Sequence, residues 1–148
     1  MDAAWVVVAD SARARVLRAE SRIGPLEDMM DLSDTQARLH DGDLYTDEQT
    51  RRMEFGRSGD QGANDYEPPR SHHRELAHRF AREIADYLRR GALENRYERL
   101  VLAASPEFLG VLRKELDDNA RAKITLELTK DLSRMRAEQV RRYLPGRF

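Results

Sequence analysis

Two short, uninterrupted apolar runs constrain the fold of this chain more than any other feature. Residues 5–9 read Trp-Val-Val-Val-Ala, and residues 100–104 read Leu-Val-Leu-Ala-Ala. A continuous apolar run of this length, rich in β-branched residues, is typical of a strand that is buried on both faces. The sequence therefore predicts that the two runs are neighbouring central strands of one sheet.

Two weaker strands are predicted to extend the first run into an antiparallel meander. Asp10-Ser11 is typical of a turn, and a second strand follows over Arg13–Ala19. A connection this short requires an antiparallel hairpin, because a parallel return needs a crossover. After Gly24-Pro25, residues 26–32 form a third strand in which acidic residues are interleaved.

Helical patterns separate the remaining strands. Apolar spacing predicts a helix over residues 71–90 that ends at Gly91, another that starts at Pro106, and a short one over 136–144. Residues 124–128 alternate between apolar and polar, which predicts an edge strand with one solvent-exposed face. Since right-handed crossovers make the fourth and fifth strands parallel, the predicted fold class is α/β. It is a five-stranded mixed sheet in the order 3-2-1-4-5, an antiparallel meander followed by α-β-α-β-α, as in ribonuclease-H-like folds.

The length of 148 residues predicts one domain, covering 1–148, with a long mobile loop at about 33–69. Periodicity vanishes in that stretch, apart from a short helical piece around 46–54, and loops this long are usually functional or disordered. No apolar run approaches the roughly 18–20 residues of a membrane span. Residues 3–9 lack the basic flank of a signal peptide, so we expect a soluble, cytoplasmic protein.

The charges are segregated along the chain although the net charge is only −1. Residues 26–69 carry twelve acids and four bases, whereas residues 70–90 carry six bases and three acids. Residues 130–148 carry six bases and two acids. An acidic middle segment therefore lies between basic ones, and it is predicted to be able to dock a basic protein partner or to shield the basic helices.

Enzymatic chemistry has little support in the residues. The absence of cysteine excludes thiolate metal sites and cysteine nucleophiles. Asp10 ends the first strand, but a two-metal nuclease needs several carboxylates, so Asp10 is predicted to serve the turn. His72, His73 and His78 do not share one helix face, and no nucleophile elbow or P-loop occurs. We expect no cofactor and no metal, and a protein more suited to binding than to catalysis.

A basic stripe on the helix over 71–90 is the candidate binding surface. Arg74, His78, Arg82 and Arg89 can line an exposed side opposite the apolar residues, where they could contact phosphates of RNA or of another partner. The alternative is a solvated face that is stabilised by internal pairs such as Glu75–Arg79 and Arg82–Asp86.

Several segments resemble the bacterial host-attachment protein family, which is described as required for attachment to host cells. They are the segments 5–17, 56–58 (Gly-Arg-Ser), 80–85 (Phe-Ala-Arg-Glu-Ile-Ala), 100–110 and 130–133. The resemblance implies a relationship to the ribonuclease-H-like central domain of archaeo-eukaryotic peptide-release factors, and hence a ribosomal or RNA partner. Release factors carry Gly-Gly-Gln in the loop after the third strand, where this chain has Gly59-Asp60-Gln61. The resemblance thus adds a second hypothesis, a translation-linked ester hydrolase of the peptidyl-tRNA type that uses Gln61.

Overall fold

The computed structural model describes residues 3–33 and 67–148, with side chains from residue 74 onward in the second range. The strands are β1 (Ala4–Ala9), β2 (Arg13–Ala19), β3 (Glu27–Ser33), β4 (Arg99–Ala103) and β5 (Ile124–Leu128). The helices are α1 (Glu67–Leu93), α2 (Pro106–Glu115), α3 (Asp118–Ala122) and α4 (Ala137–Arg141).

The five strands form one mixed sheet in the order β3-β2-β1-β4-β5. β1 pairs antiparallel with β2 and parallel with β4, and β4 pairs parallel with β5. Every residue of β1 and of β4 is buried, as expected for central strands. The predicted α/β class and strand order are confirmed, and the order is consistent with a ribonuclease-H-like fold.

The sheet has a separate hydrophobic core on each face. The core under α1 and α2 contains among others Trp5, Val7, Phe80, Ile84, Leu88, Tyr97, Leu102, Phe108 and Leu112. The core under the C-terminal segment (residues 130–148) contains among others Val6, Val8, Leu17, Val101, Leu132, Val140, Leu144 and Phe148. Alternate residues of β1 serve opposite cores because successive side chains of a strand point to opposite faces.

A bulge in β5 contradicts the prediction of one apolar face for residues 124–128. Leu100 pairs with Ile124, but Val101 pairs with Leu126, so Thr125 is an extra residue on β5. A one-residue shift moves all following side chains to the other face of the sheet. Ile124 accordingly packs under α1 and α2, whereas Leu126 packs on the core of the C-terminal segment.

The prediction that Gly91 ends the first helix is wrong. α1 runs from Glu67 to Leu93, so it begins within the predicted loop and continues past Gly91. Asn95, two residues after the last helical residue, has a φ of 56° and therefore lies in the left-handed region. The N–H of Arg96 donates to the Gly91 carbonyl at 2.9 Å, and the N–H of Asn95 donates to the Ala92 carbonyl at 3.1 Å. This is the hydrogen-bond pattern of a Schellman motif.

Gly91 is needed because Trp5 packs directly against the helix. A Cβ atom at residue 91 would lie 2.6 Å from Trp5 Cη2 and 3.0 Å from Tyr97 Cε1. The Trp5 and Tyr97 rings are themselves packed with centroids 4.6 Å apart, and the Tyr97 hydroxyl donates to the Leu88 carbonyl at 2.7 Å. Burial raises the pKa of the Tyr97 phenol, with a further contribution from the negative charge of Asp117. The glycine therefore permits close approach of α1 to β1.

The two shorter helices differ from the sequence prediction in extent. α3 is absent from that prediction, although Asp117 caps it by accepting a hydrogen bond from the Ala120 N–H at 3.0 Å. α4 covers Ala137–Arg141, fewer residues than the predicted 136–144, and the chain continues from it in turns. Short helices of about five residues leave too little periodicity for a sequence pattern to define them.

Two arginines hold the C-terminal segment on the sheet. Arg15 of β2 donates to the carbonyls of Ser133 and Met135, and its other nitrogens bind Asp28. Arg141 donates to the Gly24 carbonyl at 3.0 Å and also to carbonyls of residues 145 and 146. Its guanidinium lies 4.7 Å from the centroid of the Phe148 ring.

We expect Gly91→Ala to destabilise the fold by about 1–3 kcal/mol, because the added methyl group overpacks the core against Trp5. Gly110→Ala is the matched control, since Gly110 also lies inside a helix but has no atom within 4 Å of an added Cβ. The control should gain about 0.5–1 kcal/mol through helix propensity. Urea unfolding followed by circular dichroism measures both, and a stable Gly91→Ala variant would contradict the close packing.

We expect Arg141→Ala to cost about 1–3 kcal/mol, because several charge-assisted hydrogen bonds to carbonyls are lost together. Arg142→Ala, which removes an exposed neighbour, should change the free energy of unfolding by less than about 0.5 kcal/mol. Thermal unfolding of the two variants measures the difference. Equal midpoints would show that Arg141 does not hold the segment.

Candidate functional site

The carboxyl ends of β1 and β4 lie side by side at the centre of the sheet. From β1 the chain turns to β2 on one side, and from β4 it continues through α2 and α3 to β5 on the other. In open α/β sheets, ligands bind in the crevice where two such connections diverge. The topology therefore provides a binding position just beyond Ala9 and Ala103.

A cleft of about 640 Å³ occupies this position. It is lined by Asp10, Ser11, Arg74, Ala77, His78, Ser105, Glu107, Phe108 and Val111. The residues come from three places: the turn after β1, the first half of α1 and the start of α2. Its volume lies within the range of about 300–1,000 Å³ that is usual for small-molecule sites.

Asp10 serves the β1–β2 turn, as the sequence predicts. Its Oδ1 accepts hydrogen bonds from the N–H groups of Ala12 and Arg13, both at 2.8 Å. Its Oδ2 lies 3.3 Å from the Oγ of buried Ser133, whose nearer acceptor is Asp131 Oδ1 at 2.6 Å. Asp10 thus links the floor of the cleft to the C-terminal segment on the other face of the sheet.

Ser105 and Glu107 enter the cleft because α2 starts directly after β4. Ser105 is the N-cap residue of α2, yet its side chain makes no capping hydrogen bond. Pro106 occupies the first helical turn, where its missing N–H costs nothing, and Glu107 is the acidic residue of that turn. The local sequence that starts the helix therefore also places a hydroxyl and a carboxylate at the site.

The four predicted basic residues of α1 are divided between two places. Arg74 and His78, one helical turn apart, line the cleft. Arg82 and Arg89 lie farther along the helix, outside the lining. His78 Nδ1 is 3.4 Å from Glu115 Oε2, and Arg82 Nε is 3.8 Å from Glu115 Oε1. His78 and Arg82 therefore border α2 through Glu115, whereas Arg74, Arg82 and Arg89 have exposed side chains.

The predicted pair Arg82–Asp86 is also replaced by other contacts. Asp86 binds Arg89 at 2.6 Å and Arg90 at 3.2 Å. The hydrogen bond from Arg89 holds the pKa of the Asp86 carboxyl below its usual value, and the charges of both arginines add to this effect. Arg89 itself has a raised pKa for the same reason.

Several sequence hypotheses fall on residues that the structure does not describe. Gln61, the Gly59-Asp60-Gln61 motif, the helical piece at 46–54 and most of the acidic loop at 33–69 lie outside the described ranges. Within residues 3–33 and 67–148, no three His, Asp or Glu side chains come together as a metal-binding group. Also within these ranges, no helix has the length and apolar character needed to cross a membrane.

Sequence reasoning found Arg74 and His78 but did not connect them with Ser11, Ser105 and Glu107. The charge pattern of one helix was enough for the first two residues. The other three follow the carboxyl ends of the two central strands, so the strand order that the sequence predicts could have placed them together.

A comparison with protein-family models identifies the family of this chain. The family model described as "Protein required for attachment to host cells" matches residues 5–144. The chain belongs to the host-attachment family. The match runs from β1 to the residues after α4, so every element of this host-attachment domain that borders the cleft lies within it. No curated protein sequence matches the chain.

We expect Asp10→Ala to lower the free energy of unfolding by about 1–2 kcal/mol, because two backbone N–H groups of the turn lose their acceptor. Asp10→Asn keeps Oδ1 as an acceptor and should recover more than half of that loss. Chemical denaturation compares the two variants. If both lose the same stability, the negative charge rather than the turn hydrogen bonds is what matters.

Proposed function

We propose that this host-attachment family member is a non-enzymatic, cytoplasmic RNA-binding protein that acts on the ribosome or another RNA of the translation machinery. The contact surface is the α1 basic surface, which consists of Arg74, His78, Arg82 and Arg89. The resemblance of the sequence to the central domain of release factors supports a partner rich in RNA.

The observation that carries this proposal is the excess of cations over carboxylates on α1. Asp86 is shared by two arginines, Arg89 and Arg90, and Arg82 contacts Glu115, which also lies beside His78. Each carboxylate can neutralise only one arginine, so positive charge remains on the helix. The side chains of Arg82 and Arg89 are 60% and 44% exposed, respectively, which leaves their guanidinium groups accessible to a phosphate.

Arginine suits this role because its planar guanidinium binds a phosphate through two parallel hydrogen bonds. The existing ion pairs do not prevent such contacts. Exposed pairs contribute only about 0–1 kcal/mol, so an arginine can exchange a carboxylate for a phosphate at little cost. The binding should depend on salt, since each phosphate contact releases counterions.

The test is filter binding of single-stranded RNA, at several salt concentrations, by the wild type and the double variant Arg82→Gln/Arg89→Gln. We expect the affinity to fall by about tenfold and the slope of log K against log salt to decrease by about 1.4, or 0.7 for each lost phosphate contact. Co-sedimentation of each variant with ribosomes provides a second measurement.

The matched control is Arg134→Gln/Arg142→Gln, which removes the same charge from exposed positions of the C-terminal segment. This segment lies on the opposite face of the sheet from α1. The control should bind RNA like the wild type. An equal loss in both double variants would mean that only total charge matters, and it would contradict α1 as the surface.

A further inference from the structure

The cleft between β1 and β4 carries opposite charges on its two sides. Arg74 and His78 approach it from α1. Asp10 and Glu107 approach it from the carboxyl ends of the central strands. Asp10 directly follows β1, and Glu107 lies in the first turn of α2. These elements are fixed by the hydrophobic core below, which includes Phe80 and Phe108 with ring centroids 6.2 Å apart. The separation of charge is therefore a property of the fold.

The charged groups of the cleft are available to a ligand. Among the described residues, Asp10, Glu107 and Arg74 form no ion pair. Asp10 Oδ1 accepts from two backbone N–H groups and Oδ2 accepts from Ser133 Oγ, and these uncharged donors orient the carboxylate without cancelling its charge. Glu115 lies behind His78 at 3.4 Å and orients the imidazole from the side of α2.

This arrangement selects against ligands of a single charge. A simple anion that reaches Arg74 meets the carboxylates of Asp10 and Glu107, and a simple cation that reaches those carboxylates meets Arg74. A ligand of a single charge is therefore attracted by one side of the cleft and repelled by the other. A molecule with one group of each sign satisfies both sides at once.

The remaining lining residues indicate which other groups a ligand of this cleft should carry. The hydroxyl groups of Ser11 and Ser105 can donate to or accept from polar atoms, and the Ser105 hydroxyl is not engaged in capping. Ala77, Phe108 and Val111 provide an apolar patch. A cleft of about 640 Å³ holds a molecule the size of an amino acid or a short peptide.

We propose that this cleft binds a small zwitterion, namely a free α-amino acid or a short peptide with an apolar side chain. The ammonium group lies at Asp10 and Glu107, the carboxylate at Arg74 and His78, and the side chain on the patch around Phe108. The inference goes beyond RNA binding and does not rest on it.

The experiment is isothermal titration calorimetry of the full chain with the twenty free amino acids and a set of apolar dipeptides. For the best ligand, the N-acetylated form lacks the ammonium group, and the amide of its carboxyl group lacks the carboxylate. We expect each blocked form to bind at least about tenfold more weakly, since each loses a charge-assisted contact. Absence of binding by every zwitterion, or equal binding by a blocked form, would overturn the proposal.

Substitutions of the lining residues test whether the ligand binds in this cleft. Glu107→Gln and Arg74→Gln should each weaken the best ligand by about tenfold. Glu138→Gln is the matched control, because Glu138 is the acidic residue in the first turn of α4, as Glu107 is in α2, but it lies outside the cleft. An equal effect of the two glutamate substitutions would overturn the assignment. RNA binding is tested at Arg82 and Arg89, which do not line the cleft, so either proposal can fail while the other stands.

Discussion

The parallel pairing of β1 with β4 is the constraint on which the rest of the structure depends. The register runs from Ala4 opposite Arg99 to Val8 opposite Ala103, and both strands are buried along their whole length. Two strands that are apolar on both faces need a cover on each side, which α1 and α2 provide on one face and the C-terminal segment on the other. The same pairing places the carboxyl ends of β1 and β4 side by side, and the chain leaves them in opposite directions. The burial of these two strands therefore also creates the cleft.

The strand order could be predicted because continuous apolar runs indicate central strands and an alternating run indicates an edge strand. The positions of the bulges could not be predicted. Thr125 is the extra residue in β5, and a second register shift occurs where β3 pairs with Val16 and Leu17 of β2. A bulge is defined by the pairing of two strands, and a single strand read alone carries no trace of it. The prediction for Gly91 fails for a related reason. A helical glycine near the end of an apolar pattern is typical of a stop, but here its absence of a side chain serves a tertiary contact with Trp5.

The candidate site was only half visible in the sequence. Charge spacing on one helix identifies Arg74 and His78, because the two residues are only four positions apart in the sequence. Their relation to Glu107 depends on how α1 and α2 pack on the sheet, and the sharing of Glu115 between two bases depends on the same packing. Charges that lie close in space but far apart in sequence require the three-dimensional fold before they can be assigned to one site.

The position of Trp5 gives this protein an internal optical reporter. It is the single tryptophan of the chain, and only 1% of its surface is exposed. Tyr97 and Tyr87 flank its ring with centroids at 4.6 Å and 5.5 Å, and both belong to α1 or the residues that follow it. Since a strand rises about 3.3 Å per residue, the ring lies some 16 Å along β1 from Asp10. Its fluorescence emission therefore follows the docking of α1 onto the sheet, at the end of β1 remote from the cleft.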